Sequence, residues 1–389
     1  MLGKDALCRN RERDLRQFLK RFCPDLDKTR SKFFRQGLWG ILNSGCLTVS
    51  RWLRWIPDRC QALFYRHKRL LNQIKSTDWD HEQVLDRYLQ QWAKSIQVDT
   101  PLIVDLTDLP RPRGTKLPYI RLVRDGSEER LHYGYWCLEI YAYWGQGLIT
   151  PLLLDPYSTE APDVYSENAR ILAGVDRIFT ATAGRGVLVM DAGADRDRLL
   201  IPWIDDQRRF VVRLRGDRHL LLGNGSLVPT LMLAEQLLHR CKDHKRAWCQ
   251  VHLPERPDRR LYLVCKTLPG HNKPLMLLTS LTVEDLNTAK NALNYYRWRW
   301  KCEEAARFFK SALGIERFAL RLYQSFPRLF LLACLAMSFL TWMALHFASL
   351  KKRLCQAVPG RHQIKFPYYR LLHWLQNQIH HGNTVSKPP

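Results

Sequence analysis

The stretch Leu131-His-Tyr-Gly-Tyr-Trp-Cys-Leu-Glu-Ile-Tyr-Ala-Tyr-Trp144 is followed by Gly145-Gln-Gly147 and then by Leu148-Ile-Thr-Pro-Leu-Leu-Leu-Asp155. Both long segments are rich in Tyr, Trp, Ile and Leu, and the glycines between them favour a tight turn. We therefore predict two strands, Leu131–Trp144 and Leu148–Asp155, joined as a hairpin.

The elements around this hairpin extend the pattern. A short apolar strand, Leu102–Leu106, is predicted before it, and a helix at Ser166–Thr180 followed by a strand at Gly186–Asp191 is predicted after it. Three strands, a helix and a further strand form an α/β order with antiparallel and parallel pairing. A ribonuclease H core begins in this order. The predicted fold class is α/β, with a ribonuclease H-like mixed sheet core.

The charge of the chain is large and uneven. Lys and Arg number 61 against 37 Asp and Glu, which gives a net charge of +24. Residues 1–75 hold 18 basic and 6 acidic residues, and residues 351–389 hold 7 basic residues and no acidic ones. Such an excess favours a polyanionic partner, most often nucleic acid, although a basic membrane-surface protein would look similar. Both ends are candidate arms on a phosphate backbone.

The distribution of charge and apolar residues divides the chain into five predicted segments. These are a helical basic DNA-binding domain at 1–98, the first part of the core at 99–192, a β-rich insertion at 193–283, the helical second part of the core at 284–350, and a basic C-terminal tail at 351–389. Within the first segment, Cys46-Leu-Thr-Val-Ser-Arg-Trp-Leu53 resembles the start of a recognition helix.

One apolar run, Leu329–Leu345, is broken only by Ser338 and Thr341. Its length lies at the lower edge for a membrane-spanning helix, and a fully buried core helix has the same composition. We predict a core helix packed on the sheet, and no membrane partner. The polar, charged first ten residues do not resemble a secretory signal.

Eleven cysteines are scattered without a CxxC pair, which suits a reducing compartment. We expect a cytoplasmic, nucleoid-associated protein. One group of residues has spacing that a metal site could use, but it fits no standard zinc pattern, and we do not expect metal there. Its members are His239, Cys241, His244, Cys249 and His252.

Two aspartates stand out in the predicted core. Asp105 lies within the apolar strand Leu102–Leu106, where a charge is costly unless it is paired or bound to a metal. Asp191 ends the run Val187-Leu-Val-Met190, and the carboxyl ends of core strands commonly line a crevice. Asp108 is an alternative to Asp105. Asp195 and Asp197 compete with Asp191 but suit helix capping better.

A stripe of functional groups follows further along the chain. On an α-helix, Tyr296, Arg299, Glu303 and Lys310 fall within an arc of about 60°. A phenol, a guanidinium and an ammonium can hold phosphates, and a carboxylate can complete a metal site. An ordinary surface helix can also show such a stripe, with Arg299 and Glu303 forming an i,i+4 ion pair.

The segment from Tyr296 to Lys310 matches Tyr-x2-Arg-x3-Glu-x6-Lys, the signature of bacterial insertion-sequence transposases of the insertion sequence four family. The chain therefore resembles these DDE enzymes, which have a ribonuclease H-like core and a β-strand-rich insertion. The resemblance implies that Asp105, Asp191 and Glu303 bind the metal ions. Cys302 departs from the family, which usually has an aliphatic residue before the Glu.

The same resemblance implies a chemistry and partners. Two Mg²⁺ ions, or Mn²⁺, would support cleavage at transposon ends and strand transfer into target DNA. Tyr296, Arg299 and Lys310 would hold the transposon-end strand near the cut. The family also holds a flipped base on an aromatic residue, here Trp248 or Trp298. A homodimer on DNA is expected.

Three alternatives remain open from the sequence. A nuclease of the same fold would cut DNA without joining it. A catalytically inactive, transposase-derived DNA-binding protein would keep the basic surface, although three intact carboxylates argue against it. A basic membrane protein anchored by Leu329–Leu345 is the third alternative.

Overall fold

The computed structural model describes residues 4–56, 62–111, 114–124, 130–241, 245–347 and 366–383. The helices are α1 (Lys4–Phe22), α2 (Lys28–Ser44), α3 (Val49–Trp52), α4 (Leu63–Lys75), α5 (His81–Ala93), α6 (Glu167–Thr182), α7 (Asp197–Asp205), α8 (Thr230–Arg240), α9 (Leu286–Ser311), α10 (Phe326–His346) and α11 (Tyr368–Asn383). The strands are β1 (Pro101–Pro110), β2 (Arg121–Arg124), β3 (Leu131–Gly145), β4 (Leu148–Tyr157), β5 (Val187–Met190), β6 (Phe210–Arg213), β7 (His219–Leu221), β8 (Leu227–Pro229), β9 (Arg246–Leu253), β10 (Arg256–Lys266) and β11 (Leu275–Thr279).

The chain divides into two units. The first comprises residues 1–95, 106–170 and 303–389, and the second comprises residues 96–105 and 171–302. The division falls within β1, after Asp105, and within α9, after Cys302. The N-terminal helices therefore share a unit with the β3–β4 hairpin and α10.

The predicted hairpin is confirmed. β3 and β4 pair antiparallel, and Gly145 lies opposite Leu148 across the turn. Gln146 and Gly147 both have positive φ, at 51° and 76°. Positive φ at both central residues is the geometry of a type I′ turn, whose twist matches that of paired strands. The predicted order of three strands, a helix and a strand is present as β1, β3, β4, α6 and β5, with β2 as an additional short strand.

The apolar run predicted as a core helix forms α10. Residues 323–346 are long and apolar enough to cross a membrane by composition, but 89% of the most apolar window is buried inside the protein. The two polar residues within this run, Ser338 and Thr341, both have hydrogen-bond partners. Ser338 shares a hydrogen bond with Tyr88 of α5, and Thr341 Oγ1 donates to the carbonyl of Ile149 in β4 at 3.1 Å. Because α10 packs on β4 and its polar groups are paired within the unit, the core-helix prediction is confirmed.

The C-terminal tail differs from its prediction. Where a basic arm was expected, residues 366–383 include helix α11, which packs on α1, α2 and α10. Tyr368 and Leu371 are fully buried, and the Tyr368 hydroxyl accepts a hydrogen bond from the backbone N–H of Ile149 at 2.8 Å. Residues 351–365 and 384–389, which hold most of the basic residues of the tail, lie outside the described residues.

The segment interpreted as the start of a recognition helix forms only one helical turn. α3 has four residues, and the Trp52 side chain is fully buried rather than presented outward. A recognition helix places several successive side chains on base edges in the major groove. The prediction for Cys46–Leu53 is therefore wrong in this respect.

The second unit is built on one twisted series of strands. β5 pairs parallel with β1 and with β6, and β6 then pairs antiparallel with β11. β10 pairs antiparallel with β11 and β9, while α8 packs against this group. The predicted β-rich insertion at 193–283 therefore extends the sheet of the core strands through β6 and β11. The fold is mixed α/β, as predicted.

Candidate functional site

Two of the predicted carboxylates, Asp105 and Asp191, follow the paired segments of β1 and β5. The strands are parallel, and Leu102 pairs with Leu188 and Ile103 with Val189. Asp105 follows Ile103 by two residues, and Asp191 follows Val189 by two residues. Asp191 keeps an extended backbone, with φ −76° and ψ −170°. Equivalent positions of parallel strands share a face, so a register that continued past Ile103 and Val189 would bring the two aspartates to one face.

Asp191 ends β5 and begins the short 3-10 helix Ala192–Ala194. One carboxylate oxygen, Oδ1, accepts a hydrogen bond from the backbone N–H of Gly193 at 2.7 Å. This bond holds the side chain in one orientation at the end of the strand. A carboxylate fixed in this way keeps its second oxygen for another ligand.

The two aspartates that competed with Asp191 are engaged by one arginine. Arg218 Nε donates to Asp195 at 2.7 Å, and Arg218 Nη1 donates to Asp197 at 2.5 Å. Asp195 also accepts from the backbone N–H of Arg215 at 2.8 Å. The N-cap of α7 is Arg196, so neither aspartate holds that position, although Asp197 lies in the first turn of the helix. Burial lowers the pKa of Arg218, but its hydrogen bonds and charge contacts with both aspartates outweigh this effect and the pKa is raised.

Asp105 is held by helix α9. Cys302 Sγ donates a hydrogen bond to Asp105 Oδ2 at 3.0 Å, and Arg299 Nη1 lies 3.7 Å from the same oxygen. The Arg299 side chain is only 8% exposed, so its charge is largely removed from water. A buried guanidinium needs a counter-charge, and Asp105 supplies one. The residue that departs from the family pattern, Cys302, thus contacts a predicted metal ligand.

All four residues of the predicted stripe lie on one helix, α9. Tyr296 and Arg299 are buried, and the Arg299 guanidinium lies 5.7 Å from the centre of the Tyr296 ring and 5.2 Å from that of Trp300. Arg299 is therefore held between aromatic rings and Asp105. The Trp300 side chain is 57% exposed beside this arginine. It is an aromatic residue that the sequence reasoning missed, in addition to the half-buried Trp248 and Trp298.

Lys310, at the end of the stripe, lies in an ion-pair cluster of the first unit. Its Nζ lies 3.3 Å from Asp108 Oδ2 and 3.0 Å from Glu316 Oε1. Burial lowers the pKa of this ammonium, but the charges of Glu316 and Asp108 outweigh the burial and the pKa is raised. Asp108, the alternative to Asp105, is thus the partner of a lysine. Sequence reasoning missed Glu316, because its pairing depends on the turn that follows α9.

The predicted metal ligands share the chemistry of divalent sites, since carboxylate oxygens suit hard cations such as Mg²⁺. Among the described residues, no group of three or more His, Cys, Asp or Glu side chains is arranged to hold a metal ion. The convergence of Glu303 with the two aspartates therefore stays a prediction. The His and Cys group at 239–252 also forms no such site within its described members, and His244 lies outside them.

Part of the chain matches a protein-family model. Residues 164–339 match the family model described as Transposase DDE domain, which is somewhat less than half of the chain. The matched stretch contains Asp191 and all of α9, and it begins after Asp105. This part of the chain is similar to that domain. The comparison with curated proteins gave no match.

A solved structure similar to the chain is the cryo-EM structure of the piggyBac transposase synaptic complex with hairpin DNA. The identity is 12% and the TM-score is 0.48, and the similarity covers 94% of this chain and 74% of that one.

Proposed function

We propose that the chain is a DNA transposase of the DDE type, with Asp105, Asp191 and Glu303 as its catalytic carboxylates. The observation that supports the proposal is the parallel pairing of β1 with β5, in which Ile103 lies opposite Val189 and each aspartate follows two residues later. The match to a transposase DDE domain supports it, because that match includes Asp191 and Glu303. The finer assignment, to the insertion sequence four family, rests on the signature from Tyr296 to Lys310.

The three carboxylates would hold two Mg²⁺ ions, or Mn²⁺ in their place. Two such ions, when bound, activate an attacking water or 3′-hydroxyl and stabilise the leaving oxygen in a displacement at phosphorus. The donor chemistry fits, since Asp105 and Asp191 offer carboxylate oxygens from neighbouring strands. Asp105 Oδ2 is shared with Cys302 and Arg299 in this structure, so ligation through that oxygen requires these contacts to loosen.

The residues of α9 would position the DNA. Arg299 can donate paired hydrogen bonds to a phosphate, and Tyr296 and Lys310 can each donate one. The basic N-terminal helices supply charge that attracts the DNA backbone. The transposon ends and the target would be the DNA partners, with a homodimer bound across two ends in the cytoplasm, at the nucleoid.

A nuclease that cuts without joining would use the same carboxylates, so the decisive experiment is a joining assay. The DNA flanking the gene is searched for short inverted repeats, and a duplex ending in such a repeat is incubated with the protein, MgCl₂ and a supercoiled plasmid. We expect labelled ends covalently joined to the plasmid. Cleavage without joined product would favour the nuclease, and no cleavage by the wild type would contradict the proposal.

Replacing Lys310 with Ala should test the positioning role of the stripe. We expect the slope of log affinity against log salt to fall by about one unit on duplex DNA, since one phosphate contact is lost. Cleavage should also slow, because a misplaced phosphate loses its in-line geometry. The measurement is binding of an end-containing duplex across a salt series, with cleavage followed in parallel.

The matched control for Lys310→Ala is Arg321→Ala, because Arg321 is an exposed basic residue outside the signature. Arg328 is less suitable, since its side chain is buried over the Trp79 ring. If Lys310→Ala behaves like Arg321→Ala in both assays, the ion-pair cluster with Asp108 and Glu316 is only structural.

A further inference from the structure

A group of charged residues lies against the turn that follows Asp191. We call it the Asp195 cluster, and its members are Asp195, Asp197, Arg215 and Arg218. All four belong to the second unit. None of them lies on α9, so the cluster is separate from the stripe that the signature covers.

The cluster ties the segment after β6 to the turn after β5. The Asp195 side chain is only 2% exposed, and it accepts both from Arg218 Nε at 2.7 Å and from the backbone N–H of Arg215 at 2.8 Å. Gly216 then takes a positive φ of 103°, and a Cβ there would lie 3.0 Å from Met276 Cε. The position of Arg215 in the chain is therefore fixed on both sides.

The side chain of Arg215 is anchored to the same turn. Its Nε donates to the carbonyl of Ala192 at 2.9 Å. Ala192 directly follows Asp191, whose Oδ1 accepts from the backbone N–H of Gly193 at 2.7 Å. One turn of the backbone thus orients the Asp191 carboxylate and holds the Arg215 guanidinium beside it.

The other end of this guanidinium is available to a ligand. Arg215 is exposed, and within the described chain its side chain bonds to the protein through Nε and forms no ion pair. The nearest carboxylates of the cluster do not neutralise it, because Asp195 and Asp197 are both engaged by Arg218. Nη1 and Nη2 are left as a pair of donors, which is the arrangement that binds a phosphate.

The anchor also lowers the cost of binding. A long side chain that is free on the surface loses conformational freedom when a ligand holds it. Arg215 has already lost part of that freedom, since its Nε is fixed on Ala192. Its planar guanidinium is therefore preorganised for two parallel hydrogen bonds.

We propose that Arg215 is a further phosphate-binding residue of the site, which holds one phosphate of the DNA strand beside Asp191. The phosphate would accept hydrogen bonds from Nη1 and Nη2 while Nε stays on Ala192. Because one turn fixes both side chains, the bound phosphate would be fixed relative to Asp191, as in-line displacement requires. The inference rests on the proposed function in one respect, that Asp191 acts on DNA.

The test is a binding cycle with the full-length protein in the absence of divalent metal. Fluorescence anisotropy is measured on labelled end-containing duplexes, in each of which one phosphate near the cut is replaced by an uncharged methylphosphonate. At the phosphate that Arg215 holds, the wild type should lose about tenfold in affinity, the usual effect of losing one hydrogen bond between charged groups. Arg215→Gln should lose about tenfold on the unmodified duplex and nothing further at that phosphate, because the contact is already absent.

Two variants serve as controls for the cycle. Arg260→Gln removes an exposed arginine of β10, which β6 and β11 separate from β5, and its effect should add to that of every methylphosphonate. Arg215→Lys keeps the charge but has no Nε for Ala192, so it should keep the wild-type salt slope, which Arg215→Gln lowers by about 0.9. If the effect of Arg215→Gln also adds to that of every methylphosphonate, the proposal is overturned.

Cleavage separates a contact with DNA from an effect on Asp191. With saturating duplex, Arg215→Gln should cleave about tenfold more slowly, while the Mg²⁺ concentration for half-maximal cleavage stays within about twofold of the wild type. A raised Mg²⁺ requirement without coupling to any phosphate would overturn the proposal, because Arg215 would then act on Asp191 through Ala192.

The same data separate this inference from the proposed function. Binding is measured without metal, so coupling between Arg215 and one phosphate supports the inference even for a wild type that does not cleave. A wild type that cleaves, with additive effects for Arg215→Gln at every phosphate, would overturn the role of Arg215 and leave the transposase proposal standing.

Discussion

Replacing Asp105, Asp191 or Glu303 singly with Ala should abolish Mg²⁺-dependent DNA cleavage and leave DNA binding largely intact. Changing even an outer partner of a metal ligand costs about 10- to 100-fold in affinity or activity, so losing a ligand itself should cost more than about 100-fold. Binding should persist because it rests on the basic surface, whose net charge of +24 changes little. The measurement is cleavage of an end-containing duplex, together with anisotropy on the same DNA.

Two neighbouring carboxylates serve as controls for this series. Glu304→Ala alters the next residue of α9, and Asp108→Ala removes a partner of Lys310 from the same strand as Asp105. Both variants should retain metal-dependent cleavage, although Asp108→Ala can slow it through Lys310. If Glu304→Ala abolishes cleavage and Glu303→Ala does not, the assignment along α9 is wrong by one residue.

The elements predicted best were those whose signal is local. The hairpin around Gln146 and Gly147 depends on turn residues and on strand-forming side chains that are adjacent in sequence, and it formed as predicted. Helix α9 was likewise predicted from spacing along a single segment. Such patterns are fixed by neighbours one to four residues away, so no tertiary contact is needed to recognise them.

The features that sequence reasoning missed depend on long-range contacts. α11 forms in the segment predicted as a basic tail, because it packs on α1, α2 and α10 from distant parts of the chain. Lys310 meets Asp108 across about two hundred residues of sequence. The sequence was enough to select Asp105 as a candidate site residue. Its contacts with Arg299 and Cys302 could not be predicted, because they require α9 to lie along β1.

The contact between Arg299 and Asp105 leads to a prediction in which magnesium affinity and cleavage change in opposite directions. In this structure the buried Arg299 guanidinium supplies positive charge to Asp105, which is the role a divalent ion would take in the proposed mechanism. Arg299→Gln removes that competing charge. We expect the variant to bind Mg²⁺ several-fold more tightly than the wild type, while its cleavage falls because a phosphate contact is lost.

Unfolding measurements detect the expected change in Mg²⁺ affinity without requiring DNA cleavage. Without divalent metal, Arg299→Gln should lower the free energy of unfolding by about 1–3 kcal/mol, because the partly buried Asp105 loses a charged partner. Adding MgCl₂ should restore more stability to the variant than to the wild type, and about 1.4 kcal/mol is regained at a free ion concentration near ten times the dissociation constant. Urea unfolding with and without MgCl₂ measures both quantities.

The control for this prediction is Arg297→Gln, which removes an exposed arginine two residues earlier on the same helix. It should change neither the stability without metal nor the gain on adding Mg²⁺. Arg299→Gln and Arg297→Gln with equal stability gains from Mg²⁺ would mean that Asp105 takes no part in binding the ion. The only role of the buried Arg299 would then be to stabilise the second unit, and Asp105 would not be a metal ligand.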